Sequence, residues 1–286
     1  MCTLKPSQIS SIASLGQTDK WLKEVLFSSL CPTSVLSSPK QSPRAKYSIM
    51  FPTPDEIRRS LNGYGSGGSI HMKLQSAAQQ KQLQYMRPYL SLWGGDGDDP
   101  PPGRSIGYTG PASNAKQPTM TREAGRRRAA PHIKTYIRFS DASTMDRIDW
   151  AMTTSANLST QAWGAAANAN GEVRICSWEI GVVVWPALFA GGGDCGGPSD
   201  AKGGSTSDAR RTGAAAMVPC FKTDVPSADV IQRTLRNESN HTASSTIVGF
   251  RMPYDLPLTP YRANDAPWCA TASHSEPDWL GQTWDA

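Results

Sequence analysis

A histidine and a lysine separated by one residue, His132 and Lys134, form a pair whose types and spacing suggest chemistry. They open the segment His-Ile-Lys-Thr-Tyr-Ile-Arg-Phe, residues 132–139. Because side chains alternate along a β-strand, His132 and Lys134 would share one face, with Ile133 and Ile137 on the other. An imidazole beside an ammonium group suits proton transfer next to a bound anion. The H-x-K spacing taken alone, however, favours an ordinary exposed polar face.

Two later segments contain candidate partners for this pair. A strand-like run over residues 148–154 leads into Ser-Ala-Asn-Leu-Ser, where Asn157 or Ser159 could cap a helix whose free N–H groups hold an anion. Glu179 lies within an apolar run and needs a partner that offsets its desolvation. His132 could be that partner, since a carboxylate on one ring nitrogen fixes the tautomer. A salt bridge to Arg174 fits equally well.

The surrounding pattern indicates the elements that must position these residues. Strand-like segments, at 47–51, 132–139, 148–154, 173–185 and 246–250, are interleaved with helix-like segments at 21–30, from 53, and at 75–93. This interleaving predicts an α/β fold with a mixed β-sheet flanked by helices. Residues 94–130, rich in Gly, Pro, Asp and Arg, and residues 191–216, rich in Gly, Ser, Ala and Asp, are predicted to be disordered insertions.

Composition limits the function only loosely. The 286 residues include 29 Lys and Arg against 24 Asp and Glu, a net charge of +5 that permits an anionic partner without requiring one. No run approaches the roughly 20 apolar residues of a membrane span, so no membrane partner is expected. Six cysteines without a C-x-x-C pair argue against structural zinc. The first residues lack a signal-peptide pattern, which favours an intracellular protein.

Several motifs, taken in order, resemble the tyrosyl-DNA phosphodiesterase family of the phospholipase D superfamily. The strongest are HIKTY-x-R at 132–138, TSANLS-x-x-AWGA at 154–165 and WEIGV at 178–182. Weaker matches are the serine loop 10–16, Gly-Gly-Ser at 67–69, and the segments 218–221, 253–257, 266–268 and 281–284. The resemblance covers residues 1–286 outside the two insertions. It implies that this chain is the C-terminal half of an enzyme built from two pseudo-symmetric, phospholipase D-like halves. The sequence is fungal-like.

The resemblance implies a mechanism in which two H-x-K motifs, one from each half, meet around one phosphate. One histidine attacks phosphorus to give a phosphohistidine, and the other donates a proton to the leaving group and later activates water. On this chain it implies His132 as the proton donor and acceptor, Lys134 and Asn157 as phosphate ligands, and Glu179 as the group that orients His132. It implies neither a metal nor another cofactor.

Further positions correspond to the family's contacts with DNA. These are Ser11, Ile12, Ala13, Ser14 and Ser159, together with Lys81 if the helix register is slipped. The nucleophilic H-x-K of the family, which precedes the serine loop, is absent from this chain. A second H-x-K, His71-Met72-Lys73, lacks a following asparagine turn and is not expected to replace it.

The function implied by the resemblance is that of a nuclear DNA-repair phosphodiesterase. It would act as an exonuclease on single- and double-stranded DNA, removing 3′-tyrosyl and other 3′ adducts that arise from topoisomerase I–DNA complexes. Its partner would be the missing N-terminal half. A catalytically incomplete DNA-binding fragment is the main alternative, and a dimer that pairs two copies of His132 is a third.

Overall fold

The computed structural model describes residues 3–30, 45–94, 122–126, 128–190, 215–237 and 246–286. Within these ranges the strands are β1 (Leu4–Gln8), β2 (Ser11–Ile12), β3 (Lys46–Met50), β4 (His71–Met72), β5 (Leu90–Ser91), β6 (Lys134–Phe139), β7 (Ile148–Thr154), β8 (Gly181–Val184), β9 (Ala215–Cys220) and β10 (Thr246–Arg251). The α-helices are α1 (Pro54–Arg58), α2 (Ala77–Met86), α3 (Thr160–Trp163) and α4 (Ala228–Asn237). A π-helix covers Trp21–Phe27, and 3-10 helices cover Gly63–Ser69, Arg87–Tyr89 and Pro186–Phe189. None of the helices in the described ranges is long and apolar enough to span a membrane.

Eight of the strands form one mixed sheet. Its order is β10-β9-β7-β6-β1-β3-β5, with β8 also paired to β7. The pairs β1–β3, β3–β5 and β9–β10 are parallel, whereas β6 runs antiparallel to both β1 and β7. Strands β2 and β4 form a separate parallel pair. The predicted α/β architecture with a mixed sheet is confirmed.

Strand direction brings the ends of four strands to the same end of the sheet, which we call the sheet edge. The last residue of β1 pairs with the second residue of β6, Gln8 with Thr135. The first residue of β6 pairs with the last of β7, and Thr154 in turn pairs with Gly181 at the start of β8. The segments that adjoin these residues therefore meet at the same sheet edge. Lys134 and all the other predicted site residues except Lys81 lie in this region.

The core lies on both faces of this sheet. Tyr136 belongs to one apolar cluster, together with buried residues of the π-helix and of α2, while Ile137 and Phe139 belong to the other. Both faces of β6 are thus covered, as expected for a central strand whose neighbouring side chains point to opposite faces. The predicted helix in residues 21–30 is confirmed as the π-helix, and Leu22 and Leu26 are buried.

The helices begin where local chemistry predicts and end earlier than expected. Thr53 caps α1 through a capping box with Glu56, and Pro54 occupies the first turn. The helix predicted over 75–93 is shorter, since α2 ends at Met86 and the chain then forms β5. Pro88 explains this difference, because it lacks the N–H that would continue the helix.

The apolar segment 173–185 departs most from expectation. Only Gly181–Val184 is a strand, and residues 173–180 form an exposed connection. Trp178 is fully exposed, and Ile180 and Val182 expose most of their surface. The strand predicted over the whole segment is therefore wrong for residues 173–180, and no described element covers this side of β8.

Most of both predicted insertions, 94–130 and 191–216, lies outside the described residues. The described parts at their ends are folded. Arg122 exchanges backbone hydrogen bonds with Leu256, the backbone N–H of Leu61 donates to the carbonyl oxygen of Arg128, and Ala216 is buried in β9. These residues belong to the folded body, so the insertions as predicted extend too far.

Candidate active site

Lys134 and His132 lie together at the sheet edge. Lys134 is the first residue of β6 and only 5% exposed, whereas His132 precedes the strand and is exposed. The Lys134 Nζ donates to the backbone carbonyl of His132 at 2.6 Å and lies 3.5 Å from its Nδ1. The ammonium group is therefore held directly beside the imidazole, as the H-x-K spacing predicted.

This arrangement favours the uncharged imidazole in the unliganded chain. Burial lowers the pKa of His132 from its ordinary value, and the charges of Lys134 and His71 lower the pKa further. Burial also lowers the pKa of Lys134, an effect that the Glu179 carboxylate partly opposes. An uncharged imidazole next to a cation is able to accept a proton.

Asn157 lies in the turn after β7, three residues beyond Thr154, which pairs with Lys134, and its oxygen is fixed by three donors. Its Oδ1 accepts from the backbone N–H of Ser10 at 3.1 Å, from Ser10 Oγ at 3.2 Å, and from the backbone N–H of Ser11 at 2.9 Å. Two backbone N–H groups can only donate, so the atom they meet must be the oxygen. Within the described chain the Nδ2 group has no acceptor, and its N–H groups can bind a phosphate oxygen.

The asparagine turn is attached to the serine loop at the end of β1. The backbone N–H of Leu158 donates to the carbonyl of Ser11, and that of Ala13 donates to the carbonyl of Leu158. On the other side the Trp163 Nε1 donates to the Asn157 carbonyl at 3.0 Å. Segments about 146 residues apart in sequence, as for Ser11 and Asn157, thus form one rigid unit.

The predicted DNA-contacting residues differ in their exposure to solvent. Ser14 and Lys81 are exposed, while Ser11 and Ala13 are half-buried. Ile12 is buried, which leaves only its backbone for a contact with DNA. Lys81 lies on α2 beside Gln82, whose amide bonds to Ala13 and Leu15 and so fixes the loop. Ser159 caps α3 by accepting from the Ala162 N–H, which confirms it as the capping residue.

Glu179 does not have the expected partner. Its carboxylate is exposed and accepts from Ser155 Oγ at 2.5 Å, and within the described residues it forms no hydrogen bond with His132. The expected burial and desolvation of Glu179 are wrong, because its segment is a solvent-facing connection. An orienting role toward His132 would require the carboxylate to leave Ser155, and that role stays a prediction.

Three residues at the edge were not assigned a site role from the sequence. Ser10 and Ser155 bond to Asn157 and Glu179, and the serine-rich motifs around both were the available signal. His71, set aside because no asparagine turn follows it, lies on β4 next to Ser11. Across the described ranges no group of three His, Cys, Asp or Glu side chains could hold a metal.

Comparisons with known proteins agree on one family. The sequence profile described as Tyrosyl-DNA phosphodiesterase matches residues 6–262. A probable tyrosyl-DNA phosphodiesterase of Schizosaccharomyces pombe is 28% identical, over 97% of this chain and 41% of that protein. Tyrosyl-DNA phosphodiesterase 1 of Arabidopsis thaliana is 27% identical, over 97% and 38%. A solved structure of a yeast tyrosyl-DNA phosphodiesterase mutant matches with a TM-score of 0.50 at 20% identity, covering 94% of this chain and 50% of that chain.

The mixed sheet, with a histidine–lysine pair and an asparagine turn at one edge, has the phospholipase D-like fold of the solved structure that it matches. The chain spans about two-fifths of the length of the two curated relatives above. It belongs to the tyrosyl-DNA phosphodiesterase family.

Proposed function

We propose that this chain is one half of a DNA-repair phosphodiesterase that hydrolyses 3′-phosphotyrosyl and related 3′ adducts on DNA. The observation that carries the proposal is that His132, Lys134 and the turn that holds Asn157 adjoin the same paired strand ends, since Lys134 pairs with Thr154. A cation and an amide donor beside an exposed imidazole suit a phosphate group, whose non-bridging oxygens carry the negative charge.

In this mechanism the chain supplies the second of two histidines. The first, from another half, attacks phosphorus while the bond to the tyrosine oxygen breaks, and His132 gives its proton to that oxygen. His132, now neutral, takes a proton from water. The water oxygen attacks phosphorus, and the phosphorus–nitrogen bond breaks to release the DNA. The negative charge of a bound phosphate would oppose the lowered pKa of His132 and help it to carry the first proton.

An exposed apolar face supports the pairing of two halves. Trp178, Ile180 and Val182 alternate with Glu179 and Gly181 along the chain, and each of the three exposes more than half of its surface. Such surfaces mark interaction sites in soluble proteins. The family relatives are more than twice as long as this chain, so an additional half is a suitable occupant.

The substrate and its setting are part of the same proposal. We assign as substrates the 3′ adducts left by topoisomerase I on single- or double-stranded DNA, processed by exonuclease-like action in the nucleus. The net charge of +5 is compatible with a DNA backbone. The alternative is a DNA-binding fragment without turnover, and one observation favours it. Among the described residues, only the H-x-K motif of Lys134 has a buried lysine with an asparagine turn beside it, so only one catalytic histidine is in place.

Turnover of an oligonucleotide carrying a 3′-phosphotyrosine tests the proposal. We expect the purified chain alone to release little tyrosine, because only one histidine is in place. Adding the N-terminal part of the fission yeast relative should restore release, and Lys134→Ala should abolish that gain. Multiple turnover by the chain alone would favour self-pairing, whereas no turnover after the N-terminal part is added, together with tight oligonucleotide binding, would favour the DNA-binding fragment.

A further inference from the structure

His71 lies one strand away from the asparagine of the site. It is the first residue of β4, which runs parallel to β2 with His71 paired to Ser11 and Met72 paired to Ile12. The backbone N–H of His71 donates to the carbonyl of Ser10 at 2.9 Å. Because Ser10 and Ser11 both donate to Asn157, the position of His71 is set by the same loop that fixes the site.

The side chain of His71 is on the open side of this strand pair. Ile70 and Met72 are buried, at 0% and 3% exposure, whereas His71 and Lys73 are exposed. This alternation is that of an extended chain with one buried face, so His71 and Lys73 point to the same open side. Neither has an ion-pair partner within the described residues.

Positive charge accumulates at this edge. Lys134 begins β6 and His132 lies two residues before it, His71 and Lys73 come from the β4 segment, and Glu179 is the carboxylate that opposes the charge of Lys134. The carboxylate is already bonded to Ser155. The charge of His71 is close enough to that of His132 to lower the pKa of the latter. The repulsion between like charges this close is reduced when an anion binds between or beside them.

We propose that His71 is a further phosphate-binding side chain of this site, contacting a phosphate oxygen of the bound nucleic-acid strand beside the phosphate held by Lys134 and Asn157. Lys73 extends the same surface along the strand. The inference rests on the proposed function, since it presumes that a phosphodiester chain crosses this edge.

The environment of His71 suits binding rather than nucleophilic attack. Lys134 is buried against the backbone of His132, whereas Lys73 is exposed and bonds to nothing at His71 within the described chain. The Asn157 turn follows β7, whose last residue Thr154 pairs with Lys134. The His71-Met72-Lys73 segment therefore repeats the spacing of the catalytic motif without the rigid surroundings that a nucleophile requires.

Binding of a fluorescent single-stranded oligonucleotide with a 3′-phosphate tests this role. We expect His71→Gln to weaken binding on the order of fivefold and to reduce the slope of log affinity against log salt. Lys46→Gln, which removes a charge at the opposite end of the sheet, is the matched control and should weaken binding much less.

Two further measurements separate the outcomes. In the free chain, the imidazole of His132 followed by NMR should titrate at a higher pH in His71→Gln, because the charge of His71 lowers the pKa of His132; no shift would overturn the placement. If Lys134→Ala weakens binding but His71→Gln does not, this inference fails and the proposed function stands. If the chain binds no oligonucleotide, both fail.

Discussion

At the scale of single residues, Asn157 combines a structural and a chemical role in one side chain. Its oxygen holds Ser10 and Ser11 in place, and its nitrogen remains available to a ligand. The burial of Lys134 has a similar double effect, because it lowers the pKa of the ammonium group while fixing it beside His132. The site is therefore preorganised for a phosphate oxygen before any ligand binds.

Replacing Asn157 by aspartate separates these two roles. Asn157→Asp keeps an oxygen for Ser10 and Ser11 but replaces the N–H donors by a negative charge. We expect the melting temperature to change little, and the affinity for an oligonucleotide with a 3′-phosphate to fall about tenfold or more. Fluorescence anisotropy measures the affinity. Asn264→Asp, on an exposed turn, is the control, and equal affinity in both variants would contradict the role of Asn157.

At the scale of elements, the glycine-rich segment 63–69 is a packed 3-10 helix. The carbonyl oxygen of Gly67 accepts from the Nε1 of Trp268 at 3.0 Å. Trp268 is completely buried and stacks on Tyr64 and on His274. A glycine is needed here because the indole approaches the backbone closely, leaving no room for a Cβ.

This close approach predicts that replacement by alanine destabilises the fold at one of two nearby glycines and not at the other. A Cβ at Gly67 would overlap the Trp268 ring, while one at Gly65 would meet nothing within 4 Å. We expect Gly67→Ala to lower the free energy of unfolding by about 1–3 kcal/mol, the usual cost of overpacking, and Gly65→Ala to have little effect. Chemical denaturation measures both. Equal destabilisation would show that the indole does not limit the space.

At the scale of the whole molecule, the candidate site adjoins an exposed apolar face. The sheet edge carries His132, Lys134 and the Asn157 turn, and Glu179, which bonds to Ser155 at this edge, lies between the exposed Trp178 and Ile180. Under the proposed function, this is the arrangement expected of one of two associating halves. Pairing would exclude water from the site and strengthen its electrostatic contacts.

Charges placed on this face should prevent that pairing. We expect Trp178→Glu combined with Ile180→Glu to abolish binding of the N-terminal part of the fission yeast relative, as measured by light scattering and calorimetry. Leu61→Glu replaces an exposed leucine outside this face and should bind as wild type. A wild-type chain that forms a stable dimer through the same face would instead support self-pairing.

The sequence alone predicted the mixed sheet, the H-x-K pair, the capping residues and the asparagine turn. These depend on local periodicity and on short motifs, which act within a few residues. The grouping of His132, Lys134 and Asn157 into one site came from the resemblance to the family, because these residues lie on separate segments that local periodicity cannot join.

Only the tertiary structure decided what surrounds that group. It placed His71 beside Ser11, gave Glu179 to Ser155, and left Trp178 in solvent. These outcomes depend on strand pairing and on which faces are covered, over separations of tens of residues. Apolar composition identifies surface that can be buried, but whether it is buried depends on an element elsewhere in the chain or in a partner.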